Sequence, residues 1–264
     1  FKMILFYTDE LNPRIEYTAR LIFTHILNEE VSFTTNSPEF LKSHLPKLNY
    51  SLEKFEDEIY LKPHRLMYCK ALIQPNIQTV WYNNEKYFFE SSRDSVFPFD
   101  PIAASFYLVT RYEEYLEEER GKYNRYPARQ SILAKFKLLQ KPVINIWAGM
   151  LAKKMQEKFP DLKFPPNKFN YLSTIDVDNA WAYAHKGFFR GVGALGKALS
   201  KGKFAEAKSR FEVWRGTAKD PFETYAYLDE VFRGNEGKVL FFFLLGDYKK
   251  YDKNPPASNK SLRK

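Results

Sequence analysis

Two carboxylates separated by one residue, Asp176 and Asp178, are the residues whose types and spacing could do chemistry in this 264-residue chain. They follow an aromatic and β-branched run that begins at Phe169 and predicts a strand. Side chains two residues apart on a strand face the same way. At a rise of about 3.3 Å per residue, their Cβ atoms would lie roughly 6–7 Å apart. One carboxylate could then hold a divalent cation while the other accepts a proton nearby, so the pattern indicates metal-assisted chemistry.

Two other uses of this Asp-x-Asp-Asn segment need to be weighed. A calcium loop of the EF-hand type requires Gly at its sixth position and Glu at its twelfth. Counted from Asp176, these positions hold Trp181 and Gly187, so the sequence excludes that loop. An Asp at a strand end also commonly caps the turn or helix that follows, and this structural interpretation stays open.

The composition is that of a folded protein. Hydrophobic residues make up 44% of the chain and aromatic residues 17%, enough for sizeable cores, and the length suits two domains. Three prolines between Phe159 and Asn167 interrupt regular structure. We therefore expect one domain at residues 1–165 and a second at residues 166–264. Cys69 is the only cysteine, which excludes an internal disulfide and a cysteine-built metal site.

Charge and hydropathy restrict the partners. The net charge is +9, but basic and acidic residues are interspersed in most segments, so we do not expect nucleic-acid binding. Residues 186–219 carry a local basic excess that is either a contact for an acidic glycan, lipid head group or phosphate, or a solvated helical face. No apolar run of about 18 residues predicts a transmembrane helix. The N-terminus turns polar at Thr8, too soon for a secretory signal, so we expect a cytoplasmic protein.

The first hundred residues alternate strand and helix patterns. Strands are predicted at residues 3–7, 31–35, 48–52, 58–61, 78–82 and 86–89, and helices at 13–27 and from Ser37, with Ser37 as N-cap and Pro38 at N1. The pair Asn83-Asn84 predicts a hairpin turn. This alternation predicts an N-terminal α/β or α+β domain.

A helical extension is predicted next. Asp100 is suited to cap a helix over residues 101–119 that begins with Pro101, and a second helix is predicted at residues 143–159. Beyond the domain boundary, the Asp-x-Asp strand is followed by a Gly-rich loop at 187–196. Helical stretches extend to about residue 200 and cover residues 203–215 and 221–234.

The segment at residues 238–246 is a continuous apolar run, which is typical of a strand covered on both faces in a parallel α/β sheet or barrel. Together with the Asp-x-Asp strand and the helices between them, it predicts the first strands and helices of an incomplete (β/α) barrel. The chain has far too few strands to close such a barrel.

Several segments of the chain carry a resemblance to a known family. They are the Asp-x-Asp strand, the Lys-Gly-Phe loop after it, residues 220–225 (Asp-Pro-Phe-Glu-Thr-Tyr), residues 241–247 (Phe-Phe-Phe-Leu-Leu-Gly-Asp), residues 97–107 and residues 111–115. Together they resemble the polysaccharide deacetylase family of NodB-homology type. The similarity is closest to the subgroup in which an uncharacterised N-terminal domain precedes the deacetylase barrel, and it spans nearly the whole chain.

The resemblance implies a catalytic arrangement. In that family a Thr-x-Asp-Asp motif ends the first barrel strand, the first Asp is the catalytic base, and the second binds the metal with two histidines of a His-x-x-x-His motif. Here Asp176 resembles the base and Asp178 the metal ligand, with Val177 inserted between them. The resemblance thus implies a hydrolase that uses a divalent metal, zinc by similarity, to remove N-acetyl groups from a glycan or an N-acetylated sugar precursor.

The histidine pair of that family is not in this sequence. The four histidines are His25, His44, His64 and His185, and no two are four residues apart. We therefore expect the chain to be the N-terminal part of a longer protein, inactive alone, whose remaining barrel strands supply those ligands.

Four further residues are candidates for substrate binding: Asp100, Arg111, Glu113 and His185. Glu113 falls on the apolar stripe of the helix predicted at 101–119, where a carboxylate needs a partner or ligand. Arg111 and Arg129 are its possible structural partners, although Arg111 is also spaced to pair with Glu114. His185 could be recruited as a metal ligand or could simply be a solvated loop residue.

Two functions of other classes stay open. A nucleotide-sugar glycosyltransferase would use the Asp-x-Asp pair to hold the metal that bridges the diphosphate, but it needs a nucleotide fold in the preceding hundred residues, which are mostly helical. A non-catalytic glycan-binding or assembly module would use aromatic residues such as Trp81, Tyr82, Tyr87 and Phe88 to stack on sugar rings. Alternating aromatics on a strand are otherwise core residues.

Overall fold

The computed structural model of the protein describes residues 3–116, 119–121, 123–166, 168–233, 238–244, 258 and 260–262. The chain divides into two compact units, Phe1–Asn167 and Lys168–Lys264, here called the N-terminal and C-terminal units. The division lies two residues from the boundary that the prolines predict.

A parallel sheet organises the first part of the N-terminal unit. Its strands are β1 (Met3–Tyr7), β2 (Glu30–Thr34), β3 (Lys47–Asn49) and β4 (Ile59–Tyr60), in the order β2-β1-β3-β4. Helix α1 (Pro13–Arg20) continues through a π-helical segment, Leu21–Ile26, and joins β1 to β2; helix α2 (Ser37–Lys42) joins β2 to β3. The predicted α/β class is confirmed.

Side-chain caps fix where the first helices begin. The Asn12 carboxamide oxygen accepts hydrogen bonds from the backbone N–H groups of Arg14 and Ile15, at 3.0 and 3.2 Å, and so satisfies donors that the helix leaves unpaired. The cap of α2 is Asn36, which accepts from Glu39 N at 3.1 Å. The prediction that Ser37 is the N-cap is therefore wrong by one residue. Asn36, the residue before it, has the extended backbone that an N-cap requires, and its side chain accepts the capping hydrogen bond.

A two-stranded antiparallel hairpin, β5 (Thr79–Tyr82) and β6 (Glu85–Phe88), follows the parallel sheet. Asn83 and Asn84 turn between them with φ of 49° and 62°, the left-handed pair that a tight hairpin turn requires. The turn predicted from this dipeptide is confirmed.

The helical part of the N-terminal unit comprises α3 (Pro101–Val109), α4 (Ile132–Lys135) and α5 (Val143–Lys158). Helix α5 agrees with its prediction, whereas α3 ends ten residues before the predicted end at residue 119. Arg111 adopts a left-handed conformation, φ 52°, that breaks the helix. Its guanidinium then binds Glu114 through two hydrogen bonds of 2.6 Å, which hold the short 3₁₀ turn at Tyr112–Tyr115.

Aromatic side chains from the sheet, the hairpin, α3 and α5 form the main core, and Tyr7 with Phe40 of α2 belongs to a smaller second cluster. The rings of Tyr87 and Phe99 stack with centroids 4.2 Å apart, and Trp147 of α5 contacts Phe88 and Phe99 edge to face. Phe88 and Phe99 are fully buried. The sheet, the hairpin and the helices of the N-terminal unit thus pack as one body.

The C-terminal unit contains two parallel strands, β7 (Leu172–Val177) and β8 (Lys238–Phe243), in register from Leu172 opposite Lys238 to Val177 opposite Phe243. Three helices lie between them in sequence: α6 (Phe188–Ser200), α7 (Phe204–Arg215) and α8 (Tyr225–Phe232). Both the crossover and the parallel pairing agree with the predicted start of an α/β sheet. The incomplete (β/α) barrel stays a prediction.

Helix α6 occupies the segment predicted as a Gly-rich loop, and that prediction is wrong. Phe188, Val192, Leu195 and Leu199 repeat at i, i+4, i+7 and i+11, the spacing of one helical face. The glycines in it weaken a helix by only about 1 kcal/mol each relative to alanine, so the apolar periodicity prevails.

Both faces of the β7–β8 pair keep exposed apolar side chains, with Phe241 37% and Phe243 42% exposed on the face next to α8. On one face the Tyr225 ring of α8 lies 6.1 Å from Phe241 and 6.5 Å from Phe243. On the other face Leu240 is 45% exposed and Phe242 52% exposed. The prediction that β8 is covered on both faces is not met by the described residues, in which α8 contacts one face and leaves it partly exposed. In the described part of the chain no helix is long and apolar enough to cross a membrane.

Candidate functional site

Asp176 and Asp178 lie at the carboxyl end of β7. Asp176 is the penultimate residue of the strand, paired in register with Phe242, and Asp178 follows directly after the strand ends. Both carboxylates are exposed, and both line the same open cleft of about 440 Å³ together with Asn179. The structure therefore brings the predicted pair together at the end of a parallel strand, where α/β folds commonly place their sites.

Neither carboxylate is engaged with the rest of the described structure. Among the described residues neither the Asp176 carboxylate nor the Asp178 carboxylate makes a hydrogen bond or an ion pair. A structural cap would accept hydrogen bonds from backbone N–H groups. Both exposed carboxylates are therefore open to a ligand.

The walls of this cleft come from the segment before α8 and from the sheet. They are formed by Ile175, Val177, Pro221, Phe222, Thr224, Tyr225, Leu228 and Phe241. Phe222 is 51% exposed and presents an aromatic surface beside the carboxylates. Burial, helped by the nearby Asp220 charge, raises the pKa of the Tyr225 phenol, so this group stays a neutral hydrogen-bond donor over the physiological range.

Asp220 positions the loop that leaves the site, and no role for it was predicted from the sequence. Its Oδ1 accepts from Ala182 N at 2.7 Å and Phe222 N at 2.9 Å, and its Oδ2 accepts from Tyr183 N at 2.7 Å and Ala184 N at 2.8 Å. The carboxylate is almost fully buried. Burial alone would raise its pKa, but the four backbone donors outweigh burial and hold the pKa of Asp220 below its ordinary value.

This carboxylate therefore does the capping that could have been assigned to Asp176 or Asp178. It ties the turn after the acidic pair to the segment that leads into α8, and so fixes both sides of the cleft. The available sequence signal was Asp220 followed by Pro221, a common helix- and turn-start dipeptide.

His185 is placed away from the acidic pair. Its Nδ1 lies 3.0 Å from the Ser261 hydroxyl, and its ring packs edge-on against Trp181 at 4.6 Å. It lines a separate cavity of about 390 Å³ that shares none of its lining residues with the acidic cleft. Its backbone is left-handed, φ 53°.

The ligand set for a metal is incomplete within the described residues. They contain no group of three or more His, Cys, Asp or Glu side chains that could hold an ion. Two exposed carboxylates fit a divalent cation as part of its oxygen ligands, whereas a zinc site takes three or four protein ligands. The predicted zinc ion thus stays a prediction.

Asp100 is a core residue of the N-terminal unit. Its Oδ1 accepts from Ile102 N and Ala103 N, at 2.9 and 3.0 Å, and its Oδ2 accepts from Tyr50 Oη and His64 N, both at 2.7 Å. Burial raises the pKa of Asp100 to about 6 despite these four hydrogen bonds. Because the side chain has no exposed surface, the structure places this substrate-binding candidate where it stabilises the fold.

Glu113 and Arg111 also act locally. Glu113 accepts from Ile132 N at 2.9 Å, and partial burial raises its pKa. The prediction that Glu113 pairs with an arginine is wrong, because its carboxylate accepts from the backbone at the start of α4. Arg111 instead binds Glu114, as the spacing of these two residues predicted. Arg111 itself is exposed.

The aromatic residues considered for sugar stacking divide by burial. Tyr87 and Phe88 are buried in the core, whereas Trp81 is 70% exposed. Tyr82 is half-buried, with its ring edge against Phe97 at 6.2 Å. Trp81 is therefore the one of the four that presents most of its ring to solvent.

Comparison with known proteins bears on the N-terminal unit. The sequence model of a family of unknown function, DUF7033, matches residues 4–160. The chain belongs to the DUF7033 family. No curated protein and no solved structure matches the chain.

The DUF7033 match ends before the acidic cleft begins. It covers the sheet, the hairpin and the helices through α5, including Asp100, Arg111 and Glu113. Asp176 and Asp178 lie outside the matched region. The family match therefore does not include the residues of the acidic cleft. It assigns no chemistry to the cleft or to the DUF7033 region itself.

Proposed function

We propose that the chain forms part of a metal-dependent hydrolase that removes N-acetyl groups from a glycan or an N-acetylated sugar precursor, with its catalytic centre at the carboxyl end of β7. The observation that carries the proposal is the pair Asp176 and Asp178, which share one open cleft and have no partner among the described residues. The resemblance of the surrounding motifs to polysaccharide deacetylases supports the same assignment.

The roles follow from position and charge. Asp176 would accept the proton of a water molecule that attacks the acetamide carbonyl, and Asp178 would be one carboxylate ligand of the cation. A divalent cation held there would supply Lewis-acid polarisation of the amide carbonyl. The water oxygen would bond to the carbonyl carbon, the C–N bond would break, and a later acidic residue would protonate the leaving nitrogen, so that acetate and the free amine are released. The remaining metal ligands would have to come from residues outside the described part of the chain.

The walls of the cleft suit a sugar substrate. Phe222 offers an exposed ring on which the apolar face of a sugar can pack. The neutral Tyr225 phenol donates to Ala180 O over a long 3.5 Å distance, so it could instead donate to a substrate carbonyl. Asp220 takes no direct part, but it holds the backbone on which these groups are placed.

The test is acetate release from an N-acetylglucosamine oligomer by the full-length protein loaded with zinc. Asp176→Asn is expected to lower kcat by about 10²–10⁴ with zinc affinity largely kept, because it removes the base and leaves an oxygen ligand. Asp178→Asn is expected to weaken zinc binding, measured by calorimetry, as well as turnover. Asp161→Asn, an exposed aspartate in the N-terminal unit, is the control for loss of one negative charge.

Full activity in Asp178→Asn, or no acetate under any divalent metal, would contradict the hydrolase. Manganese-dependent binding of a nucleotide sugar would favour the glycosyltransferase instead. Tight glycan binding by the DUF7033 region without hydrolysis would favour the non-catalytic module.

A further inference from the structure

Helices α6 and α7 form a hairpin between the acidic strand and α8. They pack against each other, with the small residues Ala198 and Ala207 buried. Within the described C-terminal unit it is α8, through Tyr225, that covers the sheet. Among the described residues the aromatic contacts to β8 therefore come from α8 and not from the hairpin.

Helix α6 exposes the apolar stripe that gives it its periodicity. Phe188 is 61% exposed, Val192 44% and Leu199 48%, although the three residues share one helical face. Phe189, beside this stripe, is 90% exposed. An amphipathic helix of a water-soluble domain normally turns such a stripe towards the core.

Helix α7 extends the same surface and adds positive charge to it. Phe204, Lys208, Phe211 and Arg215 follow one another at i, i+4, i+7 and i+11, and all four are exposed. The Trp214 ring lies 5.4 Å from that of Phe188, so the aromatic side of α7 adjoins the stripe of α6. The two helices therefore share one exposed face of aromatic and aliphatic side chains with basic residues along it.

The charge around this face is one-sided. Between residues 186 and 219 there are nine lysines and arginines, and the only acidic residues are Glu206 and Glu212. Glu206 is already held by Arg210 at 2.7 Å and by Lys203 at 3.4 Å, and Glu212 lies 3.8 Å from Lys208. The surface is consequently complementary to a negatively charged partner.

We propose that the α6–α7 hairpin docks on an anionic membrane surface and lies in the plane of the interface. Aromatic and aliphatic residues on one face with lysine and arginine beside them are the pattern of interfacial helices. The helices have 13 and 12 residues, about 20 Å at most, so they are too short to cross the roughly 30 Å hydrocarbon layer.

A lipid surface explains both features of the face. Lipid phosphates pair with the basic side chains, and the boundary below the head groups takes up rings such as Phe189 and Phe204. A soluble anion would use the lysines and arginines but would leave those rings in water. The inference does not depend on the hydrolase, because it concerns residues outside the acidic cleft.

The test is flotation of the full chain with vesicles of phosphatidylcholine alone and of phosphatidylcholine with phosphatidylglycerol. Binding is expected to be at least about tenfold stronger on the anionic vesicles and to weaken steeply as salt screens the lipid charge. Trp214 fluorescence is expected to shift to the blue and to be quenched by brominated lipids, and Trp214→Phe removes that quenching.

Matched variants distinguish binding through the hairpin from the general effect of changing an exposed residue. Phe189→Ser is expected to reduce binding by about tenfold, whereas Phe169→Ser, an equally exposed phenylalanine outside the hairpin at 91%, leaves it unchanged. Lys208→Glu with Arg215→Glu is expected to abolish the preference for anionic lipid. The control is Lys153→Glu with Lys163→Glu, two exposed lysines of the N-terminal unit. All are surface changes, and circular dichroism checks that each variant is folded.

Three results would overturn the proposal: no binding to either vesicle, equal loss in Phe189→Ser and Phe169→Ser, or displacement of the protein by inorganic phosphate. The last would assign the basic residues to a soluble anion.

Discussion

At the scale of single residues, the aspartates of the C-terminal unit have two different roles: one is structural and two are open to a ligand. Asp176 and Asp178 are exposed and have no partner within the described structure. Asp220 is buried and accepts four backbone hydrogen bonds. Because the buried carboxylate satisfies the turn, the exposed pair is free for a ligand.

Replacing Asp220 tests whether this residue, and not Asp176 or Asp178, holds the turn. Asp220→Ala leaves the N–H groups of Ala182, Tyr183 and Ala184 without their acceptor. We expect the C-terminal unit to lose about 2–4 kcal/mol of unfolding free energy, measured by urea denaturation. Asp178→Ala is expected to change that free energy by less than about 0.5 kcal/mol. Equal losses in the two variants would contradict the assignment of the cap to Asp220.

At the scale of elements, helix α6 shows apolar periodicity prevailing over glycine content. Gly191, Gly193 and Gly196 lie within the helix, and a Cβ built on any of them meets no atom within 4 Å. By contrast, Gly187 before α6 and Gly216 after α7 have φ of +84° and +76°. The glycines inside the helix are thus replaceable, and those at the ends are required by the backbone.

Alanine substitutions distinguish these two kinds of glycine. Gly193→Ala is expected to stabilise the C-terminal unit by about 0.5–1 kcal/mol, because it lowers the entropy of the unfolded chain without strain. Gly216→Ala is expected to destabilise it by about 1 kcal/mol, because the left-handed conformation crowds a Cβ. Thermal denaturation followed by circular dichroism measures both, and stabilisation by Gly216→Ala would contradict the helix end at Arg215.

At the scale of the whole molecule, two units with different physical characters follow each other along the chain. The N-terminal unit, which contains the DUF7033 match, has a continuous aromatic and aliphatic core, and the buried Asp100 carboxylate within it accepts hydrogen bonds from Tyr50 and His64. The C-terminal unit exposes Leu240, Phe242 and the aromatic residues of the hairpin. Stability is therefore concentrated in the first unit, and ligand-accessible surface in the second.

The buried Asp100 gives the stability of the N-terminal unit a distinctive pH dependence. Its pKa in the folded protein, about 6, lies above the ordinary value of an aspartate, so the folded state binds the proton more tightly. The contribution of Asp100 to the free energy of unfolding is therefore fully present below about pH 4. It is lost as the pH rises through 6, and the loss amounts to about 3 kcal/mol.

Urea denaturation at a series of pH values measures this contribution. In Asp100→Asn the decline between about pH 4 and 6 is expected to disappear, while overall stability falls because an amide has one acceptor oxygen and cannot accept all four hydrogen bonds that the two carboxylate oxygens accept. Asp161→Asn, at an exposed position, is expected to keep the decline. An unchanged slope in Asp100→Asn would contradict the raised pKa.

The sequence by itself determined what depends on neighbours along the chain. A continuous apolar run located β1, helical periodicity and end signals located α1 and α5, the pair Asn83-Asn84 located the hairpin, and Asp100 was recognised as a cap. The spacing of Asp176 and Asp178 predicted that they would serve one site, and both line one cleft. These features rest on local sterics and pleat geometry, which a short segment carries within itself.

Only the tertiary structure decided what depends on contacts distant in sequence. Asp220 reaches back 36 to 38 residues to hold the turn after the acidic pair, Glu113 bonds the start of α4 nineteen residues on, and Arg111 ends α3 early. The folded structure buries Tyr87 and Phe88 in the core and leaves Trp81 exposed. It also leaves the apolar stripe of α6 exposed to solvent. Such outcomes depend on which buried donors and apolar surfaces meet in the folded chain, and spacing along the sequence does not encode that.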